Sequence, residues 1–130
     1  MQIGPVISRA VLLVGPRDSI AEAARRMTAR KVGSAIVMTD QGPGIITERD
    51  ILRAVGMGGD LEATPVEDYM THNAITAFED LDLREAAERM SGGGFRHLIV
   101  LGRGGQVEGV LSIRDLMRAL LQEAKPVGSQ

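Results

Sequence analysis

Apolar positions along this chain follow two rhythms, one alternating and one helical, and the rhythms recur twice in the same order. A short apolar run at Val11–Val14 reads as a strand, and Ile20, Ala23, Ala24 and Met27 then follow helical spacing. Two further runs, Ala35–Met38 and Gly44–Ile46, flank a loop with Asp40, Gly42 and Pro43, the pattern of a hairpin. The second half repeats the series with Ala74–Phe78, then a helical stripe at Leu83, Ala86, Ala87 and Met90, then Leu98–Leu101 and Val107–Leu111 around Gly102–Gln106. Ser19-Ile20-Ala21-Glu22 is a capping box, with Asp82-Leu83-Arg84-Glu85 as its counterpart. The first helix is expected to end near Lys31–Gly33, and Gly92-Gly93-Gly94 to end the second, because glycine tolerates a left-handed turn. A last helix closes each half, from Thr47 to about Val55 and from Ser112 to about Glu123.

The halves also agree residue by residue. Ile20-Ala21-Glu22-Ala23-Ala24-Arg25-Arg26-Met27 aligns with Leu83-Arg84-Glu85-Ala86-Ala87-Glu88-Arg89-Met90. Gly44-Ile45-Ile46-Thr47-Glu48-Arg49-Asp50 aligns with Gly109-Val110-Leu111-Ser112-Ile113-Arg114-Asp115, after a slightly longer loop in the second copy. Each copy reads β-α-β-β-α, and neither buries its apolar faces well alone. The expected fold class is α/β (α+β), with two repeats packed sheet to sheet in pseudo-twofold symmetry. Residues 6–56 form the first repeat, 57–65 a flexible linker, 66–124 the second repeat and 125–130 a disordered polar tail.

Composition narrows the function classes. The chain has 130 residues, a net charge of −2 and three aromatics, Tyr69, Phe78 and Phe95. The core must therefore be aliphatic, with Met27, Met90 and Met117 expected in it. A nucleic-acid reader would need a basic patch and stacking aromatics, so nucleic acid is set aside. The absence of cysteine excludes disulfides and thiolate zinc sites, and His72 and His97 lack acids at ligand spacing. No apolar run approaches membrane-spanning length, so no membrane association and a cytoplasmic location are expected. There is no Gly-x-Ser-x-Gly elbow, no phosphate loop with a following Lys, and no evident acid–base pair, so the chain does not read as an enzyme.

On these residues the chain resembles the cystathionine-β-synthase (CBS) domain family, as a stand-alone tandem pair of the kind called a Bateman module. The resemblance runs from about Val6 to Glu123. Its most specific element is the glycine–apolar–any–Ser/Thr–any–any–Asp junction, present twice in register at Gly44–Asp50 and Gly109–Asp115. Val66–Thr71 resembles the family's approach to a repeat, and Phe95-Arg96-His97-Leu98 its approach to the central strand. The family implies binding of an adenosine-containing nucleotide (AMP, ADP, ATP, S-adenosylmethionine or NAD-type) in clefts between the repeats. It also implies pairing of modules into a flat disk. No cofactor is required.

Residue chemistry fits that implication. Thr47 and Ser112 would cap helices whose N-termini suit a phosphate. Asp50 and Asp115 offer paired acceptors for ribose hydroxyls. Gly44 and Gly109 would let backbone approach the ligand, Ile46 or Leu111 would flank adenine, and Arg49 and Arg114 would reach phosphate. Ser/Thr-x-x-Asp also serves simply as a helix cap with no ligand at all. Thr76, Arg96 and His97 have Leu13, Gly33 and Ser34 as first-copy counterparts. The set Thr76, Arg96, His97, Ser112, Asp115 should therefore favour phosphate-bearing ligands over the set Ser34, Thr47, Asp50. The leading reading is a regulatory sensor for an unknown protein partner. The alternative is a ligand-free dimerisation or protein-interaction module. Leu52, Val55, Met117, Leu120 and Leu121 suggest an apolar face for a homodimer.

Overall fold

A computed structural model describes residues 1–124, so the expected tail at 125–130 lies outside the described residues. The fold is α+β, with two three-stranded sheets and four helices. The first sheet contains β1 (Leu13–Val14), β2 (Ser34–Thr39) and β3 (Gly42–Thr47), with α1 (Ile20–Arg30) crossing between the parallel β1 and β2, and α2 (Glu48–Gly56) following β3. The second sheet contains β4 (Thr76–Phe78), β5 (His97–Leu101) and β6 (Val107–Ser112). Here α3 (Leu83–Gly93) crosses between the parallel β4 and β5, and α4 (Ile113–Glu123) follows β6. The order strand, helix, strand, strand, helix thus holds in both copies, with opening strands shorter than their apolar runs.

The helices form where the stripes and caps place them. The Ser19 hydroxyl accepts from the Glu22 N–H at 3.0 Å, and α1 buries Ile20, Ala23 and Met27. Asp82 caps α3, which buries Leu83, Ala86 and Met90 at the same spacing. The C-terminal ends differ. Gly94 closes α3 at φ 70, whereas the non-glycine Lys31 closes α1 in the left-handed region at φ 57. Met27 and Met90 lie in the core as expected, but Met117 is 56% exposed, because α4 turns Leu116 and Ala119 inward instead.

Two compact units result, and they do not follow chain order. One comprises Ala10–Ala74, the other Met1–Arg9 with the chain from Ile75 onward. In the first unit, Thr71 pairs antiparallel with Ile45 on the outer strand β3 through N–H···O bonds of 3.0 and 2.8 Å. In the second unit, Ser8 pairs with Val110 on β6 through two bonds of 2.9 Å. The lead-in to each first strand therefore completes the sheet of the other copy. Val66 and Ile3, equivalent residues at the head of these segments, are each fully buried. The stretch after Gly59 is also tied down. Thr64 and Leu61 carbonyls accept from the Ile20 and Ala21 N–H groups at 2.9 and 3.1 Å, satisfying donors that the start of α1 leaves open.

Candidate functional site

Each Gly-x-x-Ser/Thr-x-x-Asp junction folds as the end of a hairpin feeding a helix. Antiparallel register places Ser34 opposite Thr47 in one unit and His97 opposite Ser112 in the other. The first helical N–H is already engaged in both, Glu48 donating to Gly33 O at 3.0 Å and Ile113 to Arg96 O at 2.9 Å. The third is also engaged, as Asp50 donates to Thr47 Oγ1 at 3.3 Å and Asp115 to Ser112 Oγ at 3.1 Å.

The two carboxylates then diverge. Asp50 Oδ2 accepts from the Thr47 N–H at 3.0 Å and from its hydroxyl at 3.1 Å, completing a reciprocal capping box. Its other oxygen lies 3.6 Å from Arg53, whose guanidinium donates to Tyr69 O at 2.9 Å and stacks over the Tyr69 ring. The Asp50 side chain is only 13% exposed. Asp115 makes no such box; its carboxylate is 29% exposed and has Arg118 at 3.8 Å. Asp115 thus keeps more acceptor capacity for an incoming hydroxyl.

Several expected contacts take another role. Ile46 and Leu111 are fully buried in the helix-facing cores of their units, so neither side chain can flank an adenine. Gly44 and Gly109 are glycine for packing rather than for ligand approach. A Cβ on Gly44 would meet the Met70 methyl and lie 2.7 Å from the Thr71 oxygen, and one on Gly109 would strike Ser8 O and lie 2.9 Å from the Ile7 side chain. Arg49, Arg96 and Arg114 are exposed and His97 is half-buried. Thr76 opens β4 beside Ile99, equivalent to Leu13 beside Ile36, so this pair does occupy matching positions. His72 is exposed and its Nε2 donates to Glu67 O at 2.9 Å.

Glu48 is a residue that sequence reasoning passed over. Its carboxylate folds back over bare backbone at Gly33, where an added Cβ would find the Glu48 Oε1 at 3.1 Å. The signal was available, since its counterpart in the second copy is Ile113. Among the described residues no polar or charged side chain is fully buried, no cluster of His and acids could hold a metal, and no helix is long and apolar enough to cross a membrane.

The CBS-domain family model matches residues 3–56 and 66–122. This chain belongs to the CBS-domain family. An uncharacterized 17.7 kDa protein of Acidianus ambivalens is 40% identical over 92% of this chain and 73% of its own length. The chain covers 62% of a similar protein from Methanopyrus kandleri and only 20% of a CBS-domain protein from Arabidopsis thaliana. Among solved structures, a CBS-domain protein from Agrobacterium tumefaciens is 33% identical, with a TM-score of 0.79 over 92% of this chain and 99% of its own. A CBS-domain protein from Pyrobaculum aerophilum complexed with AMP is 32% identical, with a TM-score of 0.80 over 95% of this chain and 97% of its own. Matching from residue 3 places the Ile3–Ser8 lead-in inside the CBS repeat.

Proposed function

We propose that this CBS pair is a cytoplasmic regulatory sensor binding an adenosine-containing nucleotide: AMP, ADP, ATP, S-adenosylmethionine or an NAD-type ligand. The observation that carries the reading is the doubled junction: Thr47–Asp50 and Ser112–Asp115 hold a hydroxyl and a carboxylate in the same register at two helix starts. Support comes from the AMP complex of the similar Pyrobaculum protein. CBS-domain pairs are in general regulatory and not catalytic. Ribose hydroxyls would be read by Asp115 and Asp50, and phosphate by Ser112, Arg96, His97 and Arg114 in the second repeat or by Ser34, Thr47 and Arg49 in the first. Regulation requires that the ligand bind one arrangement of the protein better than another, which shifts the population that a partner protein reads.

The test is calorimetric titration with AMP, ADP, ATP, S-adenosylmethionine and NADH. Saturable heat with at least one of them is expected, with the tighter phosphate-ligand event lost in Asp115→Ala and retained in Asp50→Ala. No heat and no thermal shift at millimolar ligand would overturn the sensor reading. The loss of the tighter event in Asp50→Ala instead would overturn the assignment of the stronger site.

A second reading, a ligand-free homodimerisation module, draws on the helices. Leu52 (71% exposed) and Val55 on α2, and Met117 and Leu121 (72%) on α4, leave apolar surface uncovered. Light scattering at tens of micromolar should give twice the chain mass. A monomer with and without nucleotide would remove the dimer from either reading.

A further inference from the structure

Glu48 and its counterpart Ile113 mark one of two places, with Gly33 and Arg96, at which the two junctions differ in charge. Glu48 stands at the first position of α2, its carboxylate drawn over Gly33 and therefore against the strand end that carries Ser34. No cation among the described residues pairs with it. Glycine at position 33 leaves room for this placement, because any side chain there would press on the carboxylate. At the second junction Arg96 replaces Gly33 and Ile113 replaces Glu48. Around the first helix start Glu48 and Asp50 balance Arg49 and Arg53. Around the second, Arg96, Arg114 and Arg118 outnumber Asp115.

We propose that Glu48 sets the ligand preference of the first-repeat site, disfavouring phosphate-bearing nucleotides relative to an adenosine ligand with a positively charged 5′ substituent, of which a sulfonium is the chemical type. The inference rests on the sensor reading above. A carboxylate on the first turn is favourable to the helix itself, and it adds negative charge beside a helix N-terminus that would otherwise attract a phosphate. Like charges repel the dianion of AMP, and the same group attracts S-adenosylmethionine, which carries a net positive charge. The Asp50 capping box acts in the same direction, since it already uses the Thr47 N–H and hydroxyl that a phosphate would take.

The experiment is calorimetric titration of the full chain with AMP and with S-adenosylmethionine, for wild type, Glu48→Gln and Ile113→Glu. Glu48→Gln keeps the side-chain shape and removes the charge. It should strengthen the weaker AMP event and weaken S-adenosylmethionine binding, each by roughly threefold to fivefold, as suits an exposed charge. Ile113→Glu should weaken the tighter AMP event by at least as much. A wild-type chain that takes up neither ligand overturns this inference together with the sensor reading. A wild-type chain that binds AMP, while Glu48→Gln leaves the ratio of AMP to S-adenosylmethionine affinity unchanged, overturns this inference alone. A purely structural role for Glu48 would change the thermal midpoint and move both affinities in one direction, and that result also overturns it.

Discussion

The helix starts after β3 and after β6 share a sequence pattern and a backbone, yet they spend their polar atoms differently. At the first, Thr47, Asp50, Arg53 and Tyr69 form a closed chain of contacts that fixes α2 to the Tyr69 segment. At the second, Ser112 caps α4, but Asp115 is not drawn back onto it, and the counterpart of Tyr69 is Val6, which offers no ring to an arginine. A motif shared by two copies can thus be mainly structural in one and keep its acceptors open in the other. What decides is the neighbours that the motif does not include.

The largest effect expected from separating the copies lies at the glycines. Gly109→Ala should cost about 2–3 kcal/mol in urea unfolding, because the new methyl meets the backbone oxygen of Ser8. Gly44→Ala should cost less, about 1–2 kcal/mol, because the nearest atom is the mobile end of Met70, although Thr71 O must still shift. Equal costs would mean that both lead-in segments yield alike.

Caps come next. Asp50→Ala should lose about 1–1.5 kcal/mol and Asp115→Ala about 0.5 kcal/mol, read as the change in unfolding free energy without nucleotide. The reverse order would break the distinction between a closed and an open carboxylate. Helix ends should then respond in opposite senses. Lys31→Gly relieves a left-handed residue at φ 57 and should stabilise by about 0.5 kcal/mol, while Gly94→Ala at φ 70 should destabilise by about 1 kcal/mol.

The smallest effect is a pH dependence at an ion pair of the first unit. A hydrogen bond from Arg25 holds the Glu62 carboxyl below the usual carboxylate range. A lowered folded pKa contributes stability above the ordinary glutamate value near ~4.3, and that contribution is lost as pH falls through the lower folded value. Thermal midpoints of wild type and Glu62→Gln should therefore differ slightly at neutral pH and converge on acidification. A gap that stays constant down to pH ~3 would count against the pair.

Much of this was legible in the chain. Helical stripes ending at Met27 and Met90, both capping residues and both hairpins follow from spacing and local chemistry, and so do the equivalent positions of Leu13 and Thr76. Solvent exposure was less legible: Ile46 and Leu111 sit next to the capping hydroxyls in sequence, but strand alternation turns them to the core. The role of the glycines was hidden because it depends on a distant backbone, Thr71 for Gly44 and Ser8 for Gly109. Continuing the alignment backwards, Ile3 with Val66 and Ser8 with Thr71, carries the signal for those segments. Whether a carboxylate is tied down or open depends on rotamers, which spacing alone does not determine.

The crossed lead-in segments bear on how such a chain could have arisen by duplication. A polypeptide carrying one repeat would lack the lead-in that, in this chain, the other repeat supplies to its sheet, and a twin could supply it by trading segments. Joining two copies end to end converts that exchange between molecules into one within a molecule, at the far higher effective concentration that a tether provides. The duplicated gene would then encode, in a single chain, what had been a swapped pair. Once the two partners are covalently joined they no longer need to stay identical, and that freedom is where Glu48 and Ile113 could part ways.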